Sequence, residues 1–173
     1  MSAQPQLLQI ALEPGDVVYT SPVVARHIIR FVNPNGKVLD PCRGDGAFYS
    51  QFPVDCISDW CEISEGRDFF SYQEQVDWIV GNPPYSIFRD WLIHSFEIAD
   101  NVVYIVPTNK IFQSWKVMNA IRKYGNIRNM LVYGSGHLVG FPFGFSVGAF
   151  HFQRDYKGDT TLRFVTQAEL MFS

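Results

Sequence analysis

The sequence has no apolar run approaching the roughly 18 residues a membrane span needs, and Met1–Ile10 lacks a signal-peptide profile. A membrane protein is therefore not expected. Cysteine is scarce: Cys42, Cys56 and Cys61 are odd in number and form no C-x-x-C pair. That argues against a zinc ribbon or a disulfide framework and for a reduced, cytoplasmic setting, with no metal site expected. Repeats and low-complexity linkers are also missing. At 173 residues the chain reads as one domain, 1–173, large enough to bury a substantial core.

Acid is absent over one long stretch. Residues 1–100 hold six Lys/Arg against fourteen Asp/Glu, whereas residues 101–154 hold six (Lys110, Lys116, Arg122, Lys123, Arg128, Arg154) and no carboxylate. The net charge of −3 conceals this asymmetry, which marks a candidate polyanion-facing surface unless acids elsewhere neutralise it. Aromatic residues, in contrast, are plentiful at 16%, with 15 Phe and 8 Tyr, and most of these rings belong in a core.

Apolar patterning alternates strands with helices. Residues 1–19 read as an irregular lead-in, and Ser21-Pro22 opens a helix with Val23, Val24, Ile28, Ile29 and Val32 on one face. Strands are expected at 37–40, 54–60, 76–80, 101–106, 127–133 and 145–153, with a stub near 67–70. Helices are expected near 47–51, over 87–98 and over 111–123. This is an α/β pattern with a mostly parallel sheet. The last two strands, with no room for a helix between them, should form an antiparallel pair closing one edge.

Two turns carry chemistry. Asp40-Pro41-Cys42-Arg43-Gly44-Asp45-Gly46-Ala47-Phe48 follows the first strand, where Gly44 and Gly46 allow a tight turn and close approach to a ligand. Tyr49 stands where the third glycine of a dinucleotide fingerprint would be, which weakens a NAD reading. Glu62, with Asp59 as rival, lies just past the second strand, where a carboxylate can accept ribose hydroxyls. Asp68-Phe69 could bracket an adenine. The second turn is Asn82-Pro83-Pro84-Tyr85, directly after Val76–Gly81. Its prolines fix φ and remove two backbone donors, so the corner is stiff and offers carbonyl oxygens. Asn82 adds a side-chain acceptor and Tyr85 a ring face, a combination that suits an amino group on a flat heterocycle.

In this order and about forty residues apart, the two turns resemble the S-adenosylmethionine-dependent adenine-N(6) DNA methyltransferases, through the D-P-x-x-G-x-G-x-F and N-P-P-Y motifs. The resemblance covers roughly residues 17–154, from Tyr19-Thr20-Ser21-Pro22 to Phe145–Phe152. It implies a Rossmann-like, seven-stranded class I methyltransferase sheet, mostly parallel with an antiparallel edge strand. Thr20, Asp40, Gly44 and Gly46 would serve the methionine end of S-adenosyl-L-methionine, Glu62 the ribose, and Asp68 and Phe69 its adenine, with Phe48 of the glycine motif a further cofactor-binding residue. Asn82, Pro83, Pro84 and Tyr85 would hold a flipped target adenine for direct methyl transfer. No covalent enzyme intermediate is implied, in keeping with the expected absence of a cysteine beside the proline turn.

Such enzymes usually carry a separate target-recognition region, and none is visible in this sequence. DNA contacts would then come from loops, a homodimer or a recognition subunit. Lys110 and Lys116, and the glycine-rich 134–144 loop with His137, Phe141 and Phe143, are the candidates. Phe rings there could wedge a duplex or pack back on the sheet. Alternatives to DNA are RNA adenine, a protein glutamine amide, or a silent subunit beside an active partner. Asn82 leans toward adenine, since cytosine amino-methyltransferases typically begin this turn with Ser or Asp.

Overall fold

The computed structural model describes residues 18–172, so only Val18 and Tyr19 of the expected lead-in fall within it. Ser21 caps α1 (Pro22–Val32), its hydroxyl accepting from the Val24 N–H at 3.4 Å while Pro22 fills the first turn. Val24, Ala25, Ile28 and Ile29 recur at helical spacing and bury one face. Asn33, left-handed at φ 46°, ends the helix.

Seven strands form one sheet: β1 (Lys37–Asp40), β2 (Ile57–Trp60), β3 (Val76–Gly81), β4 (Ala99–Pro107), β5 (Gly125–Ser135), β6 (Ser146–Arg154) and β7 (Thr161–Phe164). Their order is β2-β1-β3-β4-β6-β5-β7. All run parallel except β6, which pairs antiparallel with both β4 and β5. The sheet is seven-stranded and mostly parallel, as the resemblance implies.

The strands that make up the seven differ from expectation at two places. No strand forms near 67–70; a single Glu62–Arg67 bridge and a 3₁₀ turn over Phe69–Ser71 stand there, because the Asp68 carboxylate caps the Phe70 N–H at 3.1 Å and bends the chain. The seventh strand is β7, which pairs in parallel with β5. It forms the sheet edge, and the antiparallel β6 sits inside between β4 and β5.

Helices α2 (Phe88–Ile98) and α4 (Trp115–Tyr124) cover one face, and α1 the other, with the short α5 (Gln167–Met171) beside it. The expected 111–123 helix is two pieces, α3 (Asn109–Phe112) and α4, separated where the Ser114 hydroxyl caps Val117 N–H. The expected 47–51 helix is one 3₁₀ turn, Tyr49–Gln51. Phe96 stacks on Tyr124 at 3.9 Å between ring centroids, and Phe150 and Phe152 are fully buried beneath α2 and α4.

Gly125 joins α4 to β5 where the chain passes hard against β6. A Cβ there would collide with the Gln153 carbonyl and come within 2.7 Å of the Asp155 nitrogen. We expect Gly125→Ala to destabilise the fold by about 2–3 kcal/mol, read as a lower urea midpoint at unchanged slope; an unaltered midpoint would refute the close approach.

Candidate active site

Parallel strands β1 and β3 are neighbours, so the turns that follow them leave the sheet side by side. Gly81 makes this approach possible: a Cβ there would lie 3.0 Å from Pro41 Cδ and 3.2 Å from an Asp40 oxygen. Across the gap, the Cys42 thiol donates to the Asn82 carbonyl at 2.9 Å. A cysteine therefore does lie beside the proline corner, although far from it in sequence. Burial pushes its thiol well above the ordinary value, so it remains a protonated donor.

The glycine turn wraps around the Asp40 carboxylate, which is almost fully buried and accepts from the Cys42 and Tyr49 N–H groups at 3.3 and 3.2 Å. Burial pushes this carboxyl up to about 7, against the lowering effect of those two hydrogen bonds. Gly44 (φ 53°) and Gly46 (φ 89°) occupy backbone conformations that side chains resist. Beyond Gly46 lies open space, whereas Gly44 sits against the Tyr19 ring. Thr20 is buried, and its hydroxyl has no hydrogen-bond partner among the described residues.

Glu62 caps the 3₁₀ turn after β2. Burial works against its charge, but hydrogen bonds from Ser64 and from the Gly44 N–H at 2.9 Å hold it below its ordinary value. Its rival Asp59 is committed to Arg67 at 2.6 Å. Arg67 and Arg43 stack over the Trp60 ring at 4.1 and 4.0 Å, and Arg43 pairs with Glu65, stiffening this loop. Exposed Ile63 adds an apolar surface next to Glu62 that the motif reading missed.

Two rings of the expected donor site are core residues. Phe69 is buried against Trp91, 4.5 Å between centroids, with His94 edge-on, so it does not face the space beside Glu62. Phe48 packs with the α1 cluster beneath the glycine turn. Both are corrections with one cause: rings flanking these turns anchor them to the core. Asp68 spends a carboxylate oxygen on the Phe70 cap.

At the proline corner, Asn82 Nδ2 donates to the Val18 carbonyl at 2.7 Å. Its Oδ1 is buried and has no partner among the described residues. Pro83, Pro84 and Tyr85 are buried, and Tyr85 lies edge-on to Phe143, 6.0 Å between centroids. The corner is not sealed: Tyr85 lines an open cleft of about 340 Å³ with Ser86, Pro107, Asn109, Lys110, Phe143 and Phe145. The Asn109 side-chain oxygen there is also buried without a partner among the described residues. Asn109 and Phe145 escaped the motif reading because they open α3 just past β4 and directly precede β6, remote from both motifs.

The remaining candidates divide. Lys110 lines the cleft, Lys116 is exposed at the start of α4, and Phe143 faces Tyr85. Phe141, 2% exposed, is core and not a wedge. The His137 ring contacts the Phe141 carbonyl at 3.2 Å and organises its own loop. A larger cleft, about 520 Å³, opens at the opposite end of the sheet, around His151, Asn101 and Asn129. Burial pushes His151 down to about 4, and hydrogen bonds to the two asparagines engage both its ring nitrogens. Among the described residues no group of three or more His, Cys, Asp or Glu could hold a metal ion, and no helix is long and apolar enough to cross a membrane.

No protein-family model matches the sequence, and curated proteins yield no significant match. Solved structures do match in shape. The methyltransferase subunit of a type I restriction-modification system from Streptococcus thermophilus aligns with TM-score 0.66 at 13% identity, over 95% of this chain and 53% of that one. A modification subunit of a putative type I restriction enzyme from Vibrio vulnificus aligns with TM-score 0.63 at 13% identity, over 86% and 47%. A putative class I S-adenosylmethionine-dependent methyltransferase from Listeria monocytogenes aligns with TM-score 0.62 at 11% identity, over 92% and 68%. The chain thus spans about half the length of the two restriction-system subunits. The fold is that of class I methyltransferases.

Asp40 gives a pH signature. Its folded value, about 7, exceeds the ordinary 3.8, so between these the native state binds the proton more tightly than the unfolded chain. Its contribution to stability is therefore lost as pH rises through that window. Urea titrations from pH 5 to 8 should show wild type losing stability relative to Asp40→Asn; parallel pH profiles would contradict a buried, proton-holding Asp40.

Proposed function

We propose that this chain transfers a methyl group from S-adenosylmethionine to the exocyclic amino group of adenine in DNA, on a base turned out of its stack. The Asn82 amide carries the reading. With its nitrogen committed to Val18, its buried oxygen is left as an acceptor without a partner among the described residues. Such an orphan costs about 1–3 kcal/mol unless something donates to it. An aromatic amine would do so, with its second hydrogen on the Pro83 carbonyl. The two acceptors together orient the amine and draw electron density toward nitrogen. Tyr85 and Phe143 supply ring surface beside the corner, and the Asn109 amide a donor–acceptor pair for the base edge. The amino nitrogen is inaccessible in a stacked duplex, so the base must leave it.

The donor side fits the same reading. Asp40, pushed up to about 7 by burial, would be held ionised by a cationic ammonium group, and the Thr20 hydroxyl offers a further polar contact. Glu62 faces the loop where ribose hydroxyls would exchange with the Gly44 N–H. When bound, S-adenosylmethionine supplies a methyl carbon on positively charged sulfur, an electrophile that needs no enzyme nucleophile. The protonated Cys42 thiol fits that picture, because it holds the corner against the glycine turn instead of attacking. Likeness to type I modification subunits supports DNA as acceptor. A homodimer or a recognition subunit would complete the roughly 1,000–2,500 Å² that a specific DNA interface buries.

Tritiated donor offered with plasmid DNA, both native and heat-denatured to single strands, with total RNA or with a release factor, followed by digestion, tests the proposal. We expect label in N(6)-methyladenine from DNA, at least about a hundredfold lower in Asn82→Ala, the scale of losing one preorganised electrostatic contact. Label confined to RNA or to glutamine would reassign the acceptor. Absence of label with every acceptor, and of donor binding by calorimetry, would favour a silent subunit.

A further inference from the structure

The cleft beside the proline corner has a rim that the transfer step does not use. Phe145 in its lining is 64% exposed, and Phe112 and Trp115, 50% and 68% exposed, follow the lining residue Lys110 along the chain. They lie on two segments that leave the same end of the sheet together. The Thr108 N–H donates to the Ser146 carbonyl at 2.8 Å, which ties the exit of β4 to the residue after Phe145. Phe145 also lines the cleft, Phe112 packs edge-on to Phe150 at 5.9 Å, and Trp115 begins α4 three residues later.

Lys110 and Lys116 lie among these rings, and neither takes part in any ion pair of the described residues. The other cations of the acid-free stretch are elsewhere. α4 runs back along the sheet, so Arg122 and Lys123 in its last turn, Arg128 early in β5, and Arg154 at the end of β6 lie toward the opposite end. Arg154 is moreover paired with Asp100. Of the six cations in the acid-free stretch, the cleft end of the sheet thus keeps two, beside exposed rings.

We propose that this rim is a stacking platform for an unpaired nucleic-acid strand, with Trp115 and Phe145 receiving bases that flank the one in the cleft. The inference rests on the methyltransferase reading of that cleft and specifies its acceptor as single-stranded. A duplex hides its base faces and presents phosphates, so a duplex binder needs many cations; about 6–10 phosphate contacts are usual. An unpaired strand offers the faces that exposed rings bind, at about 1–3 kcal/mol per base, with little demand for charge. Two lysines against an unpaired strand give a salt slope near −1.4, or only about a sevenfold affinity loss between 50 and 200 mM salt.

The test is fluorescence anisotropy with a labelled adenine-containing 12-mer as single-stranded DNA, as its duplex, and as the same RNA sequence, run beside methyl-transfer assays on each. The unpaired strand should bind at least about tenfold tighter than the duplex. Trp115→Ala and Phe145→Ala should each weaken it about tenfold, with the shallow salt dependence above. Tighter binding of the RNA strand would support the platform and reassign the sugar. Equal or tighter duplex binding, indifference to Trp115→Ala, or a dimer in solution that Trp115→Ala dissolves would overturn it. The two readings fail separately. Strand binding that depends on Trp115, with no methyl transfer to any acceptor, removes the transferase reading alone; undiminished methylation of duplex by Trp115→Ala removes the platform alone.

Discussion

The close approach of the β1 and β3 turns governs this site. Asp40 and Pro41 pack against Gly81, where any Cβ would crowd them, and the Cys42 thiol reaches the Asn82 carbonyl. A glycine turn able to face one ligand and a proline corner able to face another are thereby held in fixed relation. The cost is a carboxylate in the interior, met in part by two backbone N–H groups and in part by keeping the proton up to about 7.

The crossovers around this junction are short. A single 3₁₀ turn follows Phe48 where the pattern suggested a helix, and two more occupy the connection from β2 to β3. Short turns of this kind bury little by themselves, so they are pinned by rings sent into the core: Phe48 under the glycine turn, Phe69 against Trp91 and His94. The loop bearing Glu62 is instead clamped from outside, by Trp60 between two guanidinium groups. High aromatic content thus anchors turns that lack helices of their own.

Much of the fold was legible because local rules and global packing agree. Ser21-Pro22 starts α1, apolar runs mark six strands, and both motifs fall at the carboxyl ends of parallel strands. Reading failed where one residue could serve two masters. Asp68 caps a turn and so ends the prospect of a strand, and Thr161–Phe164, exposed throughout, shows no buried periodicity to betray an edge strand. Phe141 and Phe143, two residues apart in one glycine-rich loop, went to the core and to the cleft respectively. Composition cannot separate them, because the direction of each ring depends on what the loop packs against.

The sequence alone determined the chemistry on offer: a stiff Asn-Pro-Pro corner, a flexible glycine turn, and a stretch of chain free of acid. Those follow from φ restriction, missing N–H groups and residue charge, all properties of short segments. Only the tertiary structure decided which groups meet. It set Cys42 against Asn82 across forty residues, left the Asn82 oxygen without a partner among the described residues by binding its nitrogen to Val18, and parted Lys110 and Lys116 from the four remaining cations of their stretch. Such meetings depend on strand order and on where each chain reverses, and no local segment encodes either.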